Sequence, residues 1–245
     1  MPQIALISDI HGNIDALEAV LNDIKGQEVD EIVCLGDIVG YGGAPAECLK
    51  LVRERCSTTV MGNHDEYLAK GLENFVLSRR IADPLRHAMK SLGSEEMEWL
   101  RSLPYTAGVH EFTVTHASLA IAPEAFNYLN TDMVAAHHFQ QQSTAVCFIG
   151  HTHRPEMVTD FKGRIGWGLI WEGKTLLDRS KKCAVNVGSV GQPRDDNPNA
   201  AYGIYDSGMG LFTLRRVAYD IETAIRRIKE AGIPEENALR LFKGE

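Results

Sequence analysis

Short apolar runs and amphipathic stretches take turns through the first 150 residues. Gln3–Ser8 reads as a strand. Ile14, Leu17, Val20, Leu21 and Ile24 then recur at helical spacing, which predicts a helix from about Asn13 to Lys25 with Asn13 as its N-cap. Glu31–Leu35 is the next predicted strand, Pro45–Arg55 a helix, and Thr58–Met61 a strand again. This strand–helix–strand rhythm predicts a parallel sheet, covered on both faces and built from right-handed crossovers. From Glu66 to Leu103 the pattern turns helical, with Ser94-Glu95-Glu96 marking one helix start and Pro104 closing the stretch.

The second half changes character. Thr106–Glu111 and Phe112–Thr115 read as consecutive strands, and Ala145–Ile149 is a continuous apolar strand. Beyond Gly150, strand-like runs carry hairpin signals at Lys162-Gly163, Glu172-Gly173-Lys174 and Ser207-Gly208-Met209-Gly210. Two helices finish the chain, one with Ile221, Ala224, Ile225 and Ile228 on a single face, the other starting at Pro234. The expectation is one α/β domain with two β-rich halves.

The 245 residues carry 25 Lys+Arg against 33 Asp+Glu, a formal charge of −8. That balance argues against broad electrostatic binding to nucleic acid or an anionic membrane. No apolar run approaches the roughly 18 residues of a membrane-spanning helix, and the first residues lack the basic stretch of a secretory signal. Five cysteines (34, 48, 56, 147 and 183) without a Cys-x-x-Cys pair read as free thiols of a cytoplasmic protein. There is no phosphate-binding loop of an NTPase, no Gly-x-Ser-x-Gly elbow and no dinucleotide fingerprint after a strand.

The chemistry lies at the strand ends. Ile4–Ser8 runs into Asp9-Ile10-His11-Gly12-Asn13, Ile32–Leu35 into Gly36-Asp37, and Thr59–Met61 into Gly62-Asn63-His64-Asp65. Phe112–Thr115 runs into His116, and Ala145–Ile149 into Gly150-His151-Thr152-His153. Ligands of an open α/β sheet sit at the carboxyl ends of its strands, so these ends are expected to form one polar cluster. Two carboxylates, an Asn carbonyl and four or five imidazoles, with no thiolate, suit Mn, Fe, Zn, Co or Ni better than a closed structural zinc site or a calcium cage. The set is too large for one ion and fits two, about 3.5–4 Å apart and bridged by a carboxylate.

These segments, in this order, resemble the calcineurin-like metallophosphoesterase superfamily. Gly188-Ser189-Val190-Gly191-Gln192-Pro193-Arg194-Asp195 is similar to the closing motif of its small prokaryotic phosphodiesterase branch. The resemblance implies a four-layer α/β/β/α sandwich of two packed mixed β-sheets flanked by helices. It also implies a single domain over residues 1–245. The helical segment at about 66–103 falls between the motifs and is a candidate cap over the cleft, while its apolar positions Phe75, Val76, Ile81 and Leu85 read first as packing. By the family's pattern Asp9, His11 and His153 hold the first metal, Asp37 bridges, and Asn63, His116 and His151 hold the second. His64 faces the substrate as general acid or transition-state donor, oriented by Asp65. A metal-bridging hydroxide attacks phosphorus, with Mn the favoured ion for assay.

The substrate is narrowed less. In the protein Ser/Thr phosphatases and the symmetric diadenosine tetraphosphate hydrolases of this superfamily an Arg follows the Gly-Asp motif. Here Gly36-Asp37-Ile38-Val39-Gly40-Tyr41-Gly42-Gly43 has none. Arg194 stands as the replacement phosphate clamp or as a surface residue, and Tyr41 as a pocket or base-stacking residue or a plain loop aromatic. The expected partner is a small phosphorylated molecule, a phosphodiester first. Hydrolysis of diadenosine tetraphosphate-type compounds, monoester or protein phosphatase activity, and a non-catalytic scaffold are the alternatives. Ile165–Leu177, with Trp167 and Trp171, reads as a hairpin beside the site or a contact in a homo-oligomer. His87, His110, His137 and His138 read as structural or exposed.

Overall fold

Side chains alternate along Gln3–Ile7 (β1) between two different cores. Ala5 and Ile7 join one that includes Leu17, Val20, Cys48, Leu49 and Val52, while Ile4 and Leu6 join another with Phe112, Val114, Phe148 and Val185. A strand buried on both faces lies between two layers. The same holds for Val146–Ile149 (β6), where Val146 and Phe148 face the shared core, and Cys147 and Ile149 face a third one with Ala135 and Phe139.

The computed structural model describes residues 2–122 and 125–245. After β1 come Ile14–Lys25 (α1), Glu31–Cys34 (β2), Pro45–Arg55 (α2), Thr58–Thr59 (β3), Asn63–Lys70 (α3), Arg79–Ser91 (α4) and Ser94–Ser102 (α5). Thr106–Val109 (β4), Phe112–Thr115 (β5) and Asp132–Gln141 (α6) precede β6. Glu156–Phe161 (β7), Arg164–Leu169 (β8), Gly173–Leu176 (β9), Lys182–Asn186 (β10), Ala200–Asp206 (β11), Leu211–Val217 (β12), Ile221–Glu230 (α7) and Glu235–Lys243 (α8) complete the order. One six-stranded sheet runs β3-β2-β1-β11-β12-β9 and the other β4-β5-β6-β10-β7-β8. The fold is the four-layer sandwich, with helices outside two face-to-face sheets. Among the described residues no helix is long and apolar enough to cross a membrane.

As the resemblance implied, the sheets are mixed: β1, β2 and β3 run parallel, as the strand–helix–strand rhythm predicts, and β11, β12 and β9 pair antiparallel beside them. Two expectations are corrected. The strand expected over Thr58–Met61 is shorter: after Thr58–Thr59, Val60 N–H makes a last bond to Cys34 O at 3.0 Å, and Met61 turns its N–H to the Pro104 carbonyl. Glu172-Gly173-Lys174 is no hairpin turn; there the chain leaves the second sheet, and β9 pairs with β12 of the first. Lys162-Gly163 and Ser207–Gly210 do close hairpins, between β7 and β8 and between β11 and β12. The stretch 66–103 is three α-helices and a 3₁₀ turn, and much of it is core: Leu85, Ala88, Leu100 and Leu103 are buried against the first sheet's helices.

Two ties fix helices to the rest. Pro84 lies inside α4 and cannot donate to the Arg80 carbonyl; Asn237 Nδ2 of α8 takes that carbonyl at 3.0 Å. Asp23 of α1 accepts from Arg215 Nε at 2.6 Å and Nη2 at 2.8 Å, and from Tyr202 Oη at 2.6 Å. The Arg215 hydrogen bonds, against some burial and with help from Tyr202, hold the Asp23 carboxyl below the usual carboxylate range. A depressed folded pKa contributes stability above the unfolded value of about 3.9, lost as pH falls through the folded one. Asp23→Asn is therefore expected to destabilise by about 1–3 kcal/mol at pH 7. Urea unfolding is expected to show that gap closing as pH falls below about 4; a gap independent of pH would contradict the assignment.

Candidate metal centre

Five parallel strands deliver the predicted residues to one place. Asp9 and His11 follow β1, Asp37 follows β2, Asn63 opens α3 just past β3, His116 follows β5, and His151 and His153 follow β6. The first three strands belong to one sheet and the last two to the other, so the site exists only where the two sheets are packed. All seven residues are buried.

The loops are knit to one another. Asp9 N–H donates to Gly36 O at 3.0 Å and His11 N–H to Asp37 O at 2.9 Å. His64 N–H donates to Asp37 Oδ1 at 2.8 Å, and His151 N–H to Asp9 Oδ2 at 3.0 Å. Ser189 Oγ and Gly191 N–H both reach Asp9 O, at 2.8 and 2.9 Å, so the 188–195 segment braces the first loop. Asp9, His11, Asp37, Tyr41, His151 and His153 all have φ between 50° and 70°. Non-glycine residues in that left-handed region are strained, and here the strain is concentrated where ligands must turn inward. Gly150 lies against the Ser8 and Asp9 side chains, and a Cβ there would collide with both.

Each ring is aimed by its far nitrogen. His11 Nδ1 faces Val39 O at 3.0 Å, His116 Nδ1 faces Leu35 O at 2.7 Å, and His153 Nδ1 faces Gln192 O at 2.5 Å. A proton on each Nδ1 leaves the Nε2 lone pairs pointing inward, as metal-ligating histidines require. His153 Nε2 lies 3.2 Å from Asp9 Oδ1, His11 Nε2 3.5 Å from Asp37 Oδ2, and His116 Nε2 3.3 Å from Asp37 Oδ2. Ligand atoms gather as Asp9–His11–His153 and as Asp37–His116–His151, with a third group of His11, Asp37 and His64. Asn63 Oδ1 and His116 Nε2 are buried without a hydrogen-bond partner.

Burial alone would raise both carboxyls, yet the imidazoles of His153 and His116 hold Asp9 well below its usual range. His116 and His64 do the same for Asp37. Burial pushes His151 down to about 3 and His64 to about 4. His116 alone goes up, to about 9, because Asp37 and Asp9 outweigh its burial. The site's negative potential draws a cation to that spot, and the orphaned donors fit a metal ion there.

Asp65 is placed differently from expectation. Its Oδ2 accepts the N–H groups of Asp37 at 2.8 Å and Gly62 at 3.1 Å, and its Oδ1 those of Ile38 at 3.0 Å and Val39 at 3.3 Å. Those amides use the carboxylate, so it braces the Gly36-Asp37 loop instead of orienting the His64 ring. The His64 ring centre is 4.8 Å from that of His11 and 4.6 Å from that of Tyr41. Gly40, at φ 94°, leaves the room in which the ring sits.

Tyr41 is buried and, with Arg194, lines a cleft of about 360 Å³ over Asp37, Asn63, His64, His151 and His153. An aromatic wall not foreseen from the sequence faces them. Tyr67 lies 5.7 Å from His64, Phe126 5.9 Å from His116, and Tyr128 stacks on His151 at 4.2 Å between ring centres. Tyr67 follows Gly62-Asn63-His64-Asp65 within α3, and Phe126 and Tyr128 lie in the loop between β5 and α6; none sits in a motif. Phe75 and Ile81 also reach the cleft. The segment Ile165–Leu177 does not line it, and Trp167 and Trp171 are solvent-exposed. His138 is buried and accepts Leu119 N–H, His87 faces Gly43 O, His110 pairs with Glu31, and His137 is exposed.

Residues 3–208 match the family described as the calcineurin-like phosphoesterase superfamily domain. The chain belongs to the calcineurin-like phosphoesterase superfamily. It is thereby an enzyme of the phosphoesterase class, in a superfamily that depends on two metal ions. It is 39% identical over 246 residues to the Methanocaldococcus jannaschii protein named "Uncharacterized protein MJ0912", covering 98% of each chain. A metallophosphoesterase structure from Sphaerobacter thermophilus is 36% identical with a TM-score of 0.88, covering 100% of this chain and 99% of that one. The symmetrical bis(5'-nucleosyl)-tetraphosphatase of Pasteurella multocida is 30% identical over 123 residues, 47% of this chain and 44% of that protein.

The Asp65 geometry makes a distinguishing prediction. Asp65→Ala leaves four buried N–H groups without their acceptor and is expected to cost about 3–5 kcal/mol, seen as a lowered melting midpoint. An unchanged midpoint with lost turnover would return Asp65 to an orienting role.

Proposed function

We propose that the protein hydrolyses phosphoester bonds, phosphodiesters first, at a site that holds two divalent transition-metal ions. The observation that carries this is the pair of buried ligand groups sharing one rim, Asp9–His11–His153 and Asp37–His116–His151. In this reading Asp9, His11 and His153 hold the first ion, Asn63, His116 and His151 the second, and Asp37 stands between them. A thiolate-free set of imidazole, carboxylate and amide oxygen suits Mn, Fe, Zn, Co or Ni, with Mn the choice for assay. When bound, the two cations acidify water and take up charge on the phosphate oxygens.

The other roles belong to the chain's side chains. His64 lines the cleft beside Asp37, Asn63, His151 and His153, and in this reading donates a proton to the departing ester oxygen. Arg194 supplies a guanidinium for a phosphate oxygen, since its planar fork matches phosphate better than an ammonium does. Tyr67, Phe126 and Tyr128 offer apolar faces to an organic substituent on either side of the reacting phosphorus. A diester carries two such groups and a monoester one, and this favours the diester. Together the two sheets form one catalytic domain, with α3 and α4 supplying one wall of its cleft. The five unpaired cysteines suit a reducing compartment and support a cytoplasmic setting.

Steady-state hydrolysis of bis(p-nitrophenyl) phosphate and p-nitrophenyl phosphate with added Mn²⁺ tests the proposal. The diester is expected to turn over faster, and Asp37→Ala to abolish both activities. His64→Ala is expected to lose about 10²–10⁴-fold in kcat while keeping its fold. Monoester turnover alone would replace the diesterase reading with a phosphatase one, and turnover that survives Asp37→Ala would refute the site.

A further inference from the structure

Strand β8 is an open edge of the second sheet, with β7 on one side and no strand on the other. The turn leading into it, Lys162-Gly163, has φ of 53° and 81°. In a two-residue hairpin of that geometry the flanking residues, Phe161 and Arg164, form a hydrogen-bonded pair. Alternate residues therefore bond to β7: Arg164, Gly166, Gly168, and then Ile170, whose N–H donates to Pro155 O at 3.2 Å. Ile165, Trp167 and Leu169 turn their N–H and C=O groups to the open side. Among the described residues nothing takes them.

The side chains of these three residues share the outer face, where Ile165 packs against the cluster of Ala135 and Phe139. Trp167 is held there by its Nε1 bond to Asp132 Oδ1 at 2.7 Å, yet it stays 43% exposed, and Leu169 is 69% exposed. Sheet edges are normally protected by shortness, proline or lysine. β3 is two residues long and β9 carries Lys174, whereas β8, at six residues, is the longest of the four edge strands. Ile165–Leu169 holds no charge, no proline and no bulge, so the edge is left fit for pairing.

We propose that two copies of the chain join through β8, antiparallel about a two-fold axis at Trp167, so that one sheet runs through both. A second copy is the occupant because the edge complements itself. This register pairs Ile165 with Leu169 of the other copy, Trp167 with Trp167, and Leu169 with Ile165. Each pair exchanges two hydrogen bonds, which uses every outward group. The two indoles meet on the outer face, where cross-strand aromatic pairs are favourable. Gly166 falls opposite Gly168, so no side chains collide on the other face. The same register brings Lys162 of each copy level with Glu172 of the other, just past the end of β8. Both residues are exposed, and among the described residues neither has an ionic partner within 4.0 Å. A shift of two residues either way leaves an outward residue without its match and takes Lys162 away from Glu172.

Sedimentation equilibrium of the full-length chain with Mn²⁺ present tests the proposal, and the wild type is expected to be a dimer. Leu169→Pro removes an N–H that β7 does not use, at an edge position where proline is tolerated. It is expected to raise the dimer dissociation constant about tenfold or more, with an unchanged far-ultraviolet circular dichroism spectrum. Lys162→Glu and Glu172→Lys are each expected to weaken association roughly threefold or more, and the double variant to return to within about twofold of wild type. A wild type that is monomeric at about 100 µM overturns the proposal, as does a dimer whose dissociation constant Leu169→Pro leaves within about twofold. A double variant that associates no more tightly than the single ones overturns the pairing about Trp167.

Discussion

Asp9 and Asp37 are almost wholly withdrawn from water, within a few ångströms of each other's imidazole partners. Burying two carboxylates together is costly unless positive charge is placed between them. Most of the local architecture follows from keeping that arrangement intact. The two sheets must pack, because ligands come from both. The ligand loops adopt left-handed residues so that side chains turn inward, and Gly150 gives the Asp9 carboxylate its space. Backbone carbonyls hold the far nitrogens of His11, His116 and His153, and the Asp65 carboxylate gathers the amides of the Asp37 loop.

Around this charged centre the fold supplies three different surroundings. Behind it, the 188–195 segment is bonded to the Asp9 backbone and carries Arg194 to the cleft. On one flank α8 is joined to α4 through Asn237 and the Arg80 carbonyl, and its Arg240 shares the Gln192 oxygen with Arg194. On the other, Phe126 and Tyr128 pack against His116 and His151. A cleft cationic at one side and aromatic at the other matches a molecule with phosphate at one end and a flat ring at the other.

The gathering of the candidate residues was legible in the sequence because each comes directly after an apolar strand, and chain order alone puts parallel strand ends on one edge. The double alternation of Ile4–Ile7 was equally readable once both faces of the strand had to be apolar. What escaped was non-local. Gly173 signals a change of direction, but turn chemistry cannot say that the next strand joins the opposite sheet. Asp65 stands beside His64 in sequence, yet its carboxylate points to three backbone amides of a loop nearly 30 residues away, and to that of Gly62. Arg240 lies in an unremarkable amphipathic helix, and only the fold brings it to the Gln192 oxygen that Arg194 also reaches. Tyr128 stacks on His151 through a loop whose path no periodicity reports.

The central claim is that the buried cluster is built round two cations. Calorimetric titration of Mn²⁺ into metal-stripped protein tests it most directly, with the melting midpoint followed alongside. The account predicts saturation at two equivalents per chain and a midpoint that rises with loading, since ions bound only by the folded state stabilise it. Saturation at one equivalent, or no binding and no rise, would contradict it.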